Sequence, residues 1–342
     1  MRLIKINVPV FRHSDFKKIA KNALIKKTKN YYINCSRNLK KTNKEFKTKK
    51  YSLVNFDESK FYNKSKKKKF TRSEILSNVI LKNFKNKNIE ILDYGCNKGF
   101  LLRELKKKNY KNLSGFDLIH SYQKHLKSEN IEYFHRTQNI KKKYDLIIFS
   151  HSISYVNDIK ILFKNIKKIL KPKSHILINL QNINKRPLNF LYGDQKYHFN
   201  KNMVINFFGK IGNLKFINDD SLNHEFIIIL KLNDNIKKKI KKVKEIDEIR
   251  RLKMIIKKIN KIEYKCNVFG KNILTALCIS LLGKKIQNIV AGNFKSNFLN
   301  KKSISFSKHL KTNLPLLMSN KKILKSFSIK NNFKNSNNFV SI

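Results

Sequence analysis

The residues best suited to chemistry lie between positions 89 and 117. In IEILDYGCNKGF (89–100) a short apolar run leads into a turn holding Gly95, Asn97 and Gly99, and an amphipathic segment begins near Phe100. Glycine in such a turn lets a ligand approach the main chain closely and permits backbone angles that are costly for other residues. Asn97, between the two glycines, tolerates a left-handed conformation better than most side chains do. About twenty positions on, Asp117 ends the next apolar run, where a carboxylate can accept hydrogen bonds from both ribose hydroxyls of a nucleoside. The same residues have plainer uses. Gly95 and Gly99 also suit a tight strand-to-helix turn with no ligand, Asp117 suits a helix N-cap, and Asp93 either orients a ligand through the turn or caps neighbouring amides.

Positioning these residues requires a sheet. IEILDY (89–94), LSGFDL (113–118), YDLIIFS (144–150) and HILINL (175–180) read as buried strands, with GFLLRELKKK, SYQKHLKSE and DIKILFKNIKKIL as helices between them. That alternation predicts an α/β fold, a mainly parallel sheet with helices on both faces. Ahead of it, TRSEILSNVILKNF (71–84) sets Ile75, Leu76, Val79, Ile80 and Phe84 at helical spacing, opened by Thr71 or Ser73 as N-cap. EFIIILKL (225–232) reads as an antiparallel edge strand. Open α/β sheets bind ligands beyond the carboxyl ends of their strands, so His151 and Tyr155 after the fourth strand, and Tyr197 and His198 after the fifth, are candidates for a general base or for pocket walls.

Four stretches follow from these patterns. Residues 1–70 form a basic, polar N-terminal segment with an apolar-aromatic stretch at Tyr31, Tyr32 and Ile33 and a lysine run at Lys66–Lys69 that reads as a solvated linker. Residues 71–232 carry the strand–helix alternation. Residues 233–262 read as a bridging amphipathic helix, with Ile236, Ile240, Val243, Ile246, Ile249, Leu252 and Ile255 at three- and four-residue steps. Residues 263–342 open a second, smaller α/β alternation: KCNVFG as strand, ILTALCISLLG as helix, KIQNIVAGN as strand.

ILDYGCNKGFLL (91–102) resembles the first motif of class I S-adenosylmethionine (SAM) dependent methyltransferases, and GFDL (115–118) resembles the second. YDLIIFSHSISYVNDIKILFKNIKKILKPKSHILINLQN (144–182) is similar to that family's segment in which a helix ends in an LKP turn before the fifth strand. LYGDQKYHFNKNMVINFFGKIG (191–212) is similar to its acceptor-side loop and following helix. The resemblance covers residues 71 to about 232, with four motifs in order, and Asn97 replaces the middle glycine. It implies a Rossmann-like class I methyltransferase sheet, SAM as cofactor held by Asp93, Gly95, Cys96, Asn97, Gly99, Asp117, Leu118 and Ser150, and catalytic roles for His151, Tyr197 and His198. The C-terminal part loosely resembles the second Rossmann-like domain of sugar C-methyltransferases. That family's glycine- and lysine-containing turn is reduced here to Gly270 and Lys271, its acidic pair is Ala291 and Gly292, and its N-terminal zinc cysteines are missing. The implied acceptor is a small molecule, a sugar nucleotide or polysaccharide precursor; a non-catalytic protein retaining the fold stands against an apparently intact cofactor turn.

Composition bounds the partners. With 77 Lys and Arg against 22 Asp and Glu the formal charge is +55, which ordinarily points to a polyanion such as RNA. The excess is spread along the chain and accompanied by abundant Asn, Ile and Phe and no Trp, as an AT-rich coding sequence would give, so RNA or a protein acceptor is the alternative rather than the first choice. Cys35, Cys96, Cys266 and Cys278 are far apart, which supports neither a zinc site nor a disulfide framework and fits a reducing, cytoplasmic setting without a metal. MRLIKINVPVF lacks a continuous apolar core, and no run approaches the roughly 18 apolar residues that span a bilayer.

Overall fold

A computed structural model describes residues 2–36 except 14, 60–232 except 64, 247–291, 298–318 except 313, and 339–341. At its centre are seven strands: β1 (Ile91–Tyr94), β2 (Leu113–Phe116), β3 (Glu132–Phe134), β4 (Tyr144–Ser150), β5 (Leu170–Gln181), β6 (Gly212–Ile217) and β7 (Glu225–Leu232). They lie in the order β3-β2-β1-β4-β5-β7-β6. The first five are parallel, and β7 runs antiparallel to both β5 and β6. Near-continuous apolar runs are what strands covered on both faces require, and Leu146 through Phe149 are wholly buried. The helix Phe100–Lys107 turns Leu101, Leu102 and Leu105 inward and Lys106 and Lys107 outward. The helix Arg72–Asn83 starts on a capping box: the Thr71 hydroxyl accepts from the Glu74 amide at 3.1 Å while the Thr71 amide donates to the Glu74 carboxylate at 2.6 Å. Strand order reverses between β1 and β4, which opens a crevice at their carboxyl ends.

Three readings of the sequence change. The strand 225–232 is interior, and the edge is Gly212–Ile217, whose mixed polar and apolar residues give little strand signal. The LKP turn is absorbed into β5: Tyr144 pairs with Leu170 but Leu146 with His175, so residues 171–174 bulge outward with Lys173 at φ +60°. Residues 1–70 are more than a polar segment. Arg2–Ile6, Ala23–Lys27 and Tyr32–Asn34 form an antiparallel sheet completed by Tyr197–His198, and Ile6, Val8, Val10, Ile25 and Tyr32 are buried. The run Lys66–Lys69, exposed as expected of a solvated stretch, is the turn and returning strand of a hairpin between Lys60–Asn63 and Lys68–Thr71. These strands are too short and lysine-rich to show a periodicity of their own; they are held by packing on the rest of the chain.

Of the helix expected over 233–262, Glu248–Asn260 is present and residues 233–246 lie outside the described residues. Beyond it, strands Cys266–Phe269, Ile286–Val290, Ser303–Ile304, Leu316–Met318 and Phe339–Ser341 form an all-parallel sheet, with the helix Ile273–Leu282 connecting the first two. One apolar core runs through Tyr32, Phe190, Leu252 and Leu274, joining N-terminal sheet, central sheet and C-terminal helices. Glu248 is fully buried in it and accepts from the Tyr32 hydroxyl at 2.6 Å and Asn200 Nδ2 at 3.0 Å, so this acid is satisfied rather than stranded.

Candidate active site

The turn after β1 takes the geometry its residues permit. Gly95 (φ +91°), Asn97 (φ +52°) and Gly99 (φ +79°) are all left-handed, a region open to glycine and tolerated by asparagine. The amides of Gly95 and Cys96 donate to the Phe116 carbonyl at 2.7 and 3.0 Å, which ties the turn to the end of β2. There Asp117 Oδ2 accepts from the Asn97 amide at 3.0 Å and Oδ1 from the Ile119 amide at 3.1 Å. With four lone pairs on its two oxygens, and the Leu118 amide also bonding to it, the carboxylate keeps one for a ligand hydroxyl. Burial pushes the Asp117 carboxyl up to about 6, against the opposing hydrogen bonds from Ile119, Asn97 and Leu118. Leu118 is 44% exposed, an apolar surface next to a carboxylate, which fits a nucleoside lying on its ribose and base. Asp93 lies buried at the end of β1, and Ser150, half-buried, ends β4. Cys96 is buried, and its thiol is pushed well up by burial and then by Asp117 and Asp93, so it packs rather than reacts.

Gly95 is needed for a reason beyond ligand approach. A Cβ built there would lie 2.5 Å from the Ser152 Cβ, and Ser152 Oγ donates to the Tyr94 carbonyl at 2.6 Å. The loop after β4 is thus seated directly on the glycine turn. A SAM molecule fits this arrangement: Asp117 and Leu118 would hold its nucleoside and the turn amides its amino-acid end. Bound there, SAM supplies a methyl group made electrophilic by the sulfonium, while the chain supplies alignment and exclusion of water.

Across β4 from the turn is a second cluster, assembled from residues far apart in the chain. Glu225, buried at the start of β7, takes a 2.7 Å salt bridge from Arg72 Nη2 and a 3.3 Å contact from Arg72 Nε. Its other oxygen receives Asn179 Nδ2 at 2.9 Å and lies 2.9 Å from His151 Nε2. His224 Nε2 is 3.4 Å away. Burial alone would push the Glu225 carboxyl up, but His151 and Arg72 hold it well below the usual carboxylate range. His151 follows β4 at φ +60°, in the left-handed region that histidine enters more readily than most side chains.

The N-terminal segment comes close to this cluster through His13. The His13 amide donates to both oxygens of the Asp194 carboxylate at 3.1 Å, and the His13 ring packs edge-on to Tyr192 at 4.5 Å between centroids. Gln195 Nε2 donates to the Tyr155 hydroxyl at 3.0 Å, which in turn lies 3.1 Å from His13 Nδ1. Burial, then the neighbouring His151 and Arg72, lower the His13 pKa to about 4.

His151 and Tyr155 therefore sit together near the crevice, whereas Tyr197 and His198 do not join them. Tyr197 is buried, its ring stacks edge-on with Tyr31 at 5.0 Å, and its hydroxyl donates to the Asn157 carbonyl at 3.2 Å. His198 is buried against Phe190 in the N-terminal sheet, and burial lowers its pKa to about 4. Tyr197–His198 is recruited as a strand against Tyr32–Ile33, which accounts for the packing of both side chains. Sequence reading overlooked Glu225, Arg72, Asn179 and His13. The one available signal was an acid opening the apolar run EFIIILKL, since a buried carboxylate demands partners.

Residues 68–226 match a family model described as a methyltransferase domain. Together with the sheet order, the glycine turn and Asp117, this makes the segment a SAM-dependent methyltransferase domain of class I architecture, with SAM as its cofactor. No curated protein matches the chain. Among solved structures it is similar to the plantazolicin methyltransferase BpumL in complex with SAH (16% identity, 47% of this chain and 82% of that one, TM-score 0.40). It is also similar to an O-methyltransferase family protein from Burkholderia thailandensis (10% identity, 47% and 56%, TM-score 0.39). A third is the magnesium protoporphyrin IX methyltransferase from Synechocystis PCC 6803 with bound SAM (11% identity, 47% and 78%, TM-score 0.36). Among the described residues no helix is long and apolar enough to cross a membrane, and no group of three or more metal-ligating side chains occurs.

Proposed function

We propose that the chain transfers the methyl group of SAM to a small acceptor, a sugar nucleotide or polysaccharide precursor, bound beyond the carboxyl ends of β4 and β5. Asp117, Leu118 and the Gly95–Gly99 turn hold the cofactor. The observation that carries the small-acceptor reading is the N-terminal segment beside the crevice: His13, in contact with Tyr155 and Tyr192, lies within electrostatic reach of His151 and Arg72, and side chains gathered from several elements in this way favour a small molecule over a nucleic-acid helix. The sugar class rests on the C-terminal likeness to sugar-modifying enzymes and on the parallel sheet found there.

RNA is the second reading. A cleft of about 430 Å³ on the outer side of the helix Phe100–Lys107 is lined by Lys60, Lys68, Lys69, Arg103 and Lys107, the kind of local basic patch a polyanion needs, although Glu74 and Glu104 share it. Methyl transfer from labelled SAM, assayed side by side on a set of nucleotide sugars and on total RNA over a salt series, separates the two. Incorporation into a nucleotide sugar with a shallow salt slope supports the first reading. Site-defined incorporation into RNA alone, falling by orders of magnitude from low to physiological salt, overturns it.

A further inference from the structure

This inference rests on the reading of the crevice beyond β4 as the acceptor site. We propose that His151 takes the proton from the atom being methylated, that Glu225 is the residue positioning it for this, and that the acceptor is accordingly protic, a hydroxyl or a carbon acidified by a neighbouring carbonyl.

The 2.9 Å contact between His151 Nε2 and Glu225 Oε2 decides the tautomer. A carboxylate only accepts, so Nε2 carries the hydrogen and donates it, and Nδ1 is left with its lone pair. Nδ1 has no hydrogen-bond partner among the described residues, and the side chain keeps 21% of its surface exposed, so the lone pair is available to a bound molecule. Glu225 cannot swing away, being fixed by Arg72 at 2.7 Å and Asn179 at 2.9 Å. The backbone contributes as well: His151 is held at φ +60°, with its amide donating to the Asn179 carbonyl at 3.0 Å. Since Ser152 rests on Gly95, the residue before it stands beside the cofactor turn.

A second imidazole lies close by: the Tyr155 hydroxyl accepts from Gln195 and is 3.1 Å from His13 Nδ1. In the transfer, the new bond forms from acceptor atom to methyl carbon, the carbon–sulfur bond breaks with its electron pair going to sulfur, and the proton passes to His151 Nδ1. The imidazolium so formed faces the Glu225 carboxylate. Burial lowers the His151 pKa, with Arg72 and His224 adding to it and Glu225 opposing it, and the resting imidazole is neutral.

The test is a histidine-labelled titration of the full chain with SAH present, the His151 signal assigned by His151→Gln. The expected result is a neutral Nε2–H tautomer across about pH 6 to 8, replaced in Glu225→Gln by a tautomer mixture with a lower pKa. A His151 that is protonated at neutral pH, is the Nδ1–H tautomer, or is unchanged in Glu225→Gln overturns the proposal. Glu225→Asp, which keeps the charge, serves if the glutamine variant does not fold; it should retain the Nε2–H form. On the acceptor found by the labelled-SAM assay, His151→Gln should slow transfer by about 100-fold or more. Glu225→Gln should slow it by about 10-fold or more and move the acid limb of the kcat profile to lower pH. In both, SAH should bind by calorimetry within about twofold of wild type. If the wild type binds no SAH, the methyltransferase reading itself fails, which is a different result from a base that proves dispensable.

Discussion

The two halves of the crevice are built differently. On the β1–β2 side the ligand-facing groups come from one stretch of about 25 residues, and much of the work is done by backbone: left-handed glycines, amides bonded to the Phe116 carbonyl, and a single carboxylate at Asp117. On the β4–β7 side, Arg72, His151, Asn179 and Glu225 arrive from separate elements and are joined by side-chain charge, with His13 added from the N-terminal segment. Backbone-made sites leave a local trace in sequence; sites made by side chains meeting over long separations do not.

The largest effect that would sharpen this contrast is at the turn. Gly95→Val should abolish SAM binding and lower the melting temperature, because the side chain would collide with Ser152 and a β-branched residue resists φ +91°. Calorimetry and thermal melts check it; a stable variant that binds normally would mean that Ser152 and the turn are not coupled.

Next is the buried carboxylate. Glu225→Ala leaves Arg72, His151 and Asn179 without their partner and should cost about 3 to 5 kcal/mol in urea unfolding, in line with breaking other buried ion pairs. A loss below about 1 kcal/mol would show that water already reaches the cluster.

Acid should loosen the N-terminal sheet that packs beside the acceptor half. The His198 pKa is about 4 in the folded chain against 6.5 ordinarily, so the unfolded chain binds the proton more readily. This stability is complete above about pH 6.5 and is lost as pH falls towards 4, amounting to about 2 kcal/mol by pH 5. His13 acts in the same direction. Urea midpoints at pH 7 and pH 5 measure it, and His198→Gln should flatten the difference; an unchanged slope would take His198 out of the account.

How much could be read beforehand follows from the same contrast. β1, β2 and β4 were legible as apolar runs, and Gly95, Asn97, Gly99 and Asp117 as a turn with its acid, because period and spacing are local properties. Glu225 with Arg72 was not legible: the two are 153 positions apart, and neither residue carries a sign of the other. The strand pairing of Tyr197 and His198 was hidden for a related reason. Nothing in KYHF shows that it will pair with Tyr32–Ile33, and that pairing turns both side chains into the core. The N-terminal strands hide among lysines, since two or three buried positions per strand are too few to make a pattern.

The most direct test of the central claim, that the turn after β1 and Asp117 form a SAM site, is calorimetric titration of wild type and Asp117→Ala with SAM and SAH. Wild type should bind both, with affinity falling as pH drops below about 6, where Asp117 takes up a proton. Asp117→Ala should bind about 10- to 100-fold more weakly, the 1 to 3 kcal/mol of lost charge-assisted hydrogen bonds. No heat from either ligand at millimolar concentration, or equal affinity in the two proteins, would contradict the account.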